Sequence, residues 1–146
     1  LTLRIDYGAS APETVKALYA VNNYLDGGHV DPALRRYLEL RVSQINGCRY
    51  CIWLHAKQAR ELGEPAERVG AIAGWRDADC FSSAERAALA WAESVTGITN
   101  GTPPDEEFAA LRDHFSELEI VDLTVAVANM NALNRIAISF CLEPPE

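Results

Sequence analysis

No run of apolar residues in this chain reaches the roughly 18 to 20 that a membrane-spanning helix requires, so a membrane is not an expected partner. Its first residues also lack the basic-then-apolar order of a secretory leader, and the expected compartment is the cytoplasm. Positive charge is scarce. The chain has 13 Lys and Arg against 21 Asp and Glu, a formal net charge of -8, and such a surface repels phosphate backbones, which argues against nucleic acid. Alternating apolar and polar residues, the mark of a half-buried strand, are rare. There is no internal repeat, no low-complexity tract and no linker long enough to separate domains. Cysteine is limited to 4 residues, which in a chain expected in the reducing cytosol do not read as a disulfide framework, and the second close ligand pair of common structural zinc sites is missing.

What is present fits one folding unit. The chain has 146 residues, 49% of them apolar, enough for a single domain with one core spanning residues 1–146. Ser10 with Glu13, Ser82 with Glu85 and Ser116 with Glu119 match capping boxes, and Asp31 before Pro32 matches an N-cap followed by proline at the first helical position. Apolar-periodic segments follow at residues 11–25, 32–45, 48–62, 65–74, 83–97, 104–114 and 117–140. Gly27-Gly28, Asn46-Gly47, Gly63, Gly97 and Gly101 fall between them as caps or turns. The expected fold class is therefore all-α, a compact array of about six to seven helices. The last segment spreads Ile120, Val121, Val125, Val127, Leu133 and Ile138 over more than one helix face, which predicts that a second subunit covers some of it in a homo-oligomer.

The chemistry concentrates at Asn46-Gly47-Cys48-Arg49-Tyr50-Cys51-Ile52-Trp53-Leu54-His55, where a turn feeds a helix. Offsets of three, four and seven residues put Cys48, Cys51 and His55 on one stripe facing one cleft. A thiol of pKa about 8.5 is only about 3% ionised at pH 7. Lowering it by about two units raises that fraction to about three quarters, and a helix N-terminus with an imidazole can supply the shift. The neighbouring thiol can then displace a sulfenic acid or resolve a mixed disulfide, while His55 moves the proton.

The same residues admit other uses. Zinc on Cys48, Cys51 and His55 would need Glu39, His29 or water as a fourth ligand. A thioredoxin-type motif should follow a buried strand, whereas the segment before Cys48 carries helical signals from Asp31 onward. Cys80 and Cys141 have no adjacent base and are expected as buried thiols. His29 and His114 are expected as surface histidines, and Trp53, Trp75 and Trp91 as core residues, with Trp53 also a candidate for a substrate entrance. Asn129, Asn131 and Asn134, unusual in an apolar helix, are expected to form an interior hydrogen-bonded network.

Several strings together carry a resemblance. These are Leu40 to Cys48, Cys51 with His55, Ala59-Arg60 with Gly63-Glu64, Trp75-Arg76, Glu85 to Trp91 and Asn131 to Arg135. The chain resembles the carboxymuconolactone decarboxylase superfamily in its alkylhydroperoxidase D-like branch. That resemblance implies an all-α subunit with its site in a cleft, assembled as trimers or hexamers, with Cys51 attacking peroxide and Cys48 resolving. Helix-dipole reasoning alone favours Cys48 as the nucleophile. Two positions depart from the pattern. Arg36 stands where the family's relay has a glutamate, and Glu39, one turn further on, is the candidate substitute, with an ordinary solvated or salt-bridged carboxylate as the alternative. Tyr50 stands where some members have histidine.

The expected function is thus an enzyme, a thiol peroxidase or disulfide reductase acting on hydrogen or alkyl peroxides. Its catalytic residues would be Cys51, Cys48, His55 and Glu39, with no cofactor or metal, and an external dithiol or disulfide-reductase electron donor would reset it. A non-catalytic redox sensor or assembly module is the competing class. A decarboxylating lyase of the same superfamily is disfavoured, because such members do not carry the cysteine pair.

Overall fold

The computed structural model describes residues 2–146. Among them there are helices and no strands. A single turn, α1 (Tyr7–Ser10), leads into α2 (Pro12–Asp26), α3 (Pro32–Asn46) and α4 (Arg49–Glu61). After α5 (Ala66–Ala71) comes a 3₁₀ stretch over Ile72–Asp77, then α6 (Ser83–Thr96), a short 3₁₀ turn, α7 (Asp105–Arg112) and the long α8 (Glu117–Ser139).

The starts and stops follow local chemistry. Ser82 and Ser116 each close a full capping box with Glu85 and Glu119, and the Asp31 carboxylate accepts from the Leu34 N–H at 2.9 Å. Two expectations are corrected. Ser10 does not cap α2: it ends α1, whose N-cap is Asp6, and α2 starts at Pro12, whose fixed φ and missing N–H suit the first helical position. The segment at 65–74 is not one helix, since it tightens into 3₁₀ geometry after Ala71 and Gly74 departs from helical backbone.

Helix α3 runs through the middle and packs on α4, α6 and α8. Tyr37, Leu38, Leu40 and Val42 from α3 meet Leu89 of α6 and Leu123 and Val127 of α8 in a core from which water is excluded. Helix α2 differs. Leu25 is its one buried residue, so α2 lies across the surface of α8 as a cover and outside the core. Its C-terminal end is pinned where the buried Asp122 of α8 accepts from the Tyr24 hydroxyl at 2.9 Å and lies 3.2 Å from the His29 ring. The expected surface character of His29 holds for its half-exposed ring, but Asp122 anchors it.

Candidate active site

The site sits at the sharp turn between α3 and α4. Gly47 takes the left-handed conformation there, φ +72, which a side chain would strain, and so α3 ends and the chain reverses at once. Cys48 is the N-cap of α4 with no side-chain capping bond, and Arg49 is the first helical residue. The turn is tied down from α8. The Asn46 amide donates to Asn131 and to Asn134, each at 3.0 Å, and the fully buried Asn134 donates to the Ser43 hydroxyl at 3.1 Å. Asn131 and Asn134 thus form the expected interior network, while Asn129 bonds separately to Asn22.

Cys48 and Cys51 are joined as a disulfide, with Cα atoms 5.3 Å apart. Their surroundings differ. Cys51 and Cys48 are both buried in the core, at 4% and 1% exposed, but Cys51 lines a cleft of about 180 Å³ among α1, α2, α3, α4 and α8, and Cys48 does not. His55, one turn after Cys51, lines the same cleft; Cys48, expected to face it too, is joined to Cys51 but does not line it, because it is the N-cap of α4 and lies in the core.

Glu39 reaches the site from α3. Its carboxylate lies 3.2 Å from His55 Nδ1, and the Gln58 side-chain oxygen lies 3.0 Å from the same nitrogen. With two acceptors facing it, Nδ1 carries the hydrogen of the neutral ring, which leaves Nε2 free as a base. Arg35 Nε donates to Glu39 at 2.8 Å and Arg36 Nη1 at 2.5 Å. Burial by itself would raise the Glu39 pKa, but the hydrogen bond and charge of His55 and the two guanidiniums outweigh it and hold the carboxyl down at about 2. Glu39 is therefore both salt-bridged and in contact with the histidine, and Arg36 sits beside it as a counter-charge.

Sequence reasoning missed several residues here. Gln58 lies three positions after His55, a helical offset that could have flagged it. Arg35 is 3% exposed and binds Glu39, Asp26 and Asn22 at once, a burial that no local pattern announces. Tyr7 and Tyr19 reach the cleft from α1 and α2. Two expectations also fail away from the site: Cys80 is exposed in the bend before α6, and Trp53 packs against Tyr50 and Lys57 and does not line the cleft. Cys141 is buried, as expected. His29, the alternative zinc ligand, is held on Asp122, and no group of three or more His, Cys, Asp or Glu side chains among the described residues is placed to hold a metal ion.

Comparison with known proteins extends this picture. The model of the carboxymuconolactone decarboxylase family matches residues 12–94. The uncharacterized protein YdfG of Bacillus subtilis (strain 168) is 34% identical over 139 residues, covering 95% of each chain. A solved structure from Agrobacterium tumefaciens, a protein of unknown function described as a candidate antioxidant defence protein AhpD, is 36% identical with a TM-score of 0.96 over 99% of both chains. An uncharacterized peroxidase-related protein from Ralstonia eutropha JMP134 with an alkylhydroperoxidase AhpD core shares the fold at 24% identity and a TM-score of 0.85, over 95% of this chain and 74% of that one. With the cysteine pair, the histidine and the helical frame in place, the chain belongs to the carboxymuconolactone decarboxylase family, in its alkylhydroperoxidase D-like branch.

Proposed function

We propose that this protein is a thiol peroxidase with disulfide-reductase capacity, in which Cys51 attacks a hydrogen or alkyl peroxide and Cys48 resolves the product. The observation that carries the reading is the asymmetry of the pair: both cysteines are buried, but Cys51 lines the cleft and Cys48 does not. A small oxidant meets Cys51 first. The dipole preference for an N-cap thiolate at Cys48 is thereby set against access, and access decides which sulfur a substrate can reach.

In the reduced protein His55 Nε2 takes the Cys51 proton, and Glu39 holds the ring by Nδ1. A carboxyl held at about 2 stays ionised throughout the cycle, so Glu39 positions the imidazole and does not itself carry the proton. The peroxide leaves its distal oxygen on Cys51 as a sulfenic acid, and the Cys48 thiol displaces that oxygen as water to form the disulfide. An external dithiol or a disulfide-reductase partner then returns both thiols. The names given to the Agrobacterium and Ralstonia proteins, antioxidant defence and peroxidase-related, support the same direction.

The test is steady-state peroxide consumption with a recycling dithiol. The expected outcome is many equivalents consumed per subunit, and loss of turnover in Cys51→Ser. Full activity in that variant, or oxidation of the parent once and stoichiometrically as a sensor would, contradicts the reading.

A further inference from the structure

We propose that Tyr7, Tyr19 and Tyr50 form the leaving-oxygen side of the site, where their phenol groups bind the proximal oxygen of an organic hydroperoxide and protonate the departing alkoxide. This rests on the peroxidase reading above and adds to it a set of proton donors and a preference for substrates with a bulky organic group.

The polar groups around the cleft fall into two sets. Those toward α3 are already engaged: Arg35 and Arg36 donate to Glu39, and His55 is held between Glu39 and Gln58. Those toward α1 are free. Tyr7, Tyr19 and Tyr50 all line the cleft beside Cys51, and their hydroxyls make no hydrogen bond to any described residue, unlike those of Tyr24 and Tyr37, which donate to Asp122 and Glu64. Burial raises the pKa of Tyr7 and Tyr19, and the neighbouring phenols, Tyr50 included, raise both further. Tyr7 and Tyr19 therefore remain protonated at neutral pH, Tyr19 with 44% of its surface open to solvent.

Leu18, Leu133 and Ile136 are among the apolar residues that line the cleft, and the Tyr7 ring packs on Phe140 with centroids 5.4 Å apart. A cleft of about 180 Å³ is of the size that accepts an aryl or branched-alkyl group, since an apolar cavity of roughly 150 Å³ takes up benzene. An alkoxide expelled into such surroundings is poorly solvated and strongly basic, so its protonation limits the step unless a donor is at hand. A phenol is more acidic than an alcohol, and the transfer runs downhill.

The step balances within the site. The Cys51 thiolate attacks the distal oxygen, the S–O bond forms and the O–O bond breaks. Sulfur is oxidised by two electrons to the sulfenic acid while the peroxide is reduced to the alkoxide. The alkoxide takes a phenol proton and leaves as the alcohol. The phenolate recovers a proton from the imidazolium that His55 became on deprotonating Cys51.

The test compares two oxidants in a reduced Cys48→Ser background, using the second-order rate of Cys51 oxidation. Cumene hydroperoxide expels a basic alkoxide, whereas peracetic acid expels a carboxylate that needs no proton. The combined Tyr7→Phe, Tyr19→Phe, Tyr50→Phe variant should lose about 100-fold with cumene hydroperoxide and change less than about twofold with peracetic acid, and the single variants should divide that loss. Unchanged peracid reactivity also shows that the variant is folded with a competent thiolate. An equal loss with both oxidants, or no loss with cumene hydroperoxide, overturns the assignment while leaving the peroxidase reading intact. A parent protein whose Cys51 neither oxidant touches overturns both.

Discussion

Glu39 makes the plainest case at the scale of single residues. It is 3% exposed, carries a full charge and touches one imidazole and two guanidiniums. Its folded pKa of about 2 lies below the ordinary 4.5, so its contribution to stability is fully present above pH 4.5 and is lost as pH falls toward 2. That difference corresponds to about 3 kcal/mol. Urea unfolding at pH 7 and pH 3 should show this acid-limb loss in the parent and a much smaller one in Glu39→Gln. Equal slopes in both proteins would mean that the carboxylate is not held as described. Substituting the cysteines one at a time should separate their roles: Cys48→Ser still reacts with one equivalent of peroxide and, lacking its resolving thiol, proceeds to sulfinic acid under excess oxidant, whereas Cys51→Ser does not react. Intact-mass spectrometry reads both outcomes, and the reverse pattern would make Cys48 the nucleophile.

At the scale of helices, the Asn46 network decides how the cysteine turn is held. Asn134→Ala removes one of the two acceptors of Asn46 and the donor to Ser43 from a position with no solvent access, and should cost about 1–3 kcal/mol in urea denaturation. A neutral result would mean that the turn holds itself. Much of this level was legible in the letters. Ser82, Ser116 and Asp31 announced the starts of α6, α8 and α3, and Gly47 announced the end of α3, because caps are local chemistry read over three or four residues. Cys51 and His55 were legible for the same reason, lying one turn apart on α4, while Cys48, its N-cap, does not share the cleft. Ser10 misled because Pro12 overrode a capping pattern of equal strength. Arg35 and the cleft tyrosines could not be placed, since their roles arise where α1, α2, α3 and α4 meet, and no periodicity within one segment tells which helix lies opposite, whereas Gln58 was within reach of a helical offset from His55. Asp122 stood in the sequence as an acid in an apolar helix, but its partners Tyr24 and His29 are more than ninety residues away.

The whole molecule leaves apolar surface uncovered. Leu118 and Val121 of α8 are 47% and 56% exposed, Ile138 near its end is 43% exposed, and Tyr24 of α2 is 52% exposed. We propose that a second copy of the chain covers some of it, and sedimentation should report the trimer or hexamer that the family resemblance implies, with a stable monomer contradicting the proposal.

The central claim is that the fold keeps a reactive sulfur anion at Cys51, and the pH dependence of Cys51 alkylation in reduced Cys48→Ser protein tests it most directly. The account predicts a midpoint well below about 8.5, moving upward when His55 is replaced by Asn. A midpoint at the ordinary thiol value, unmoved by that replacement, would contradict it.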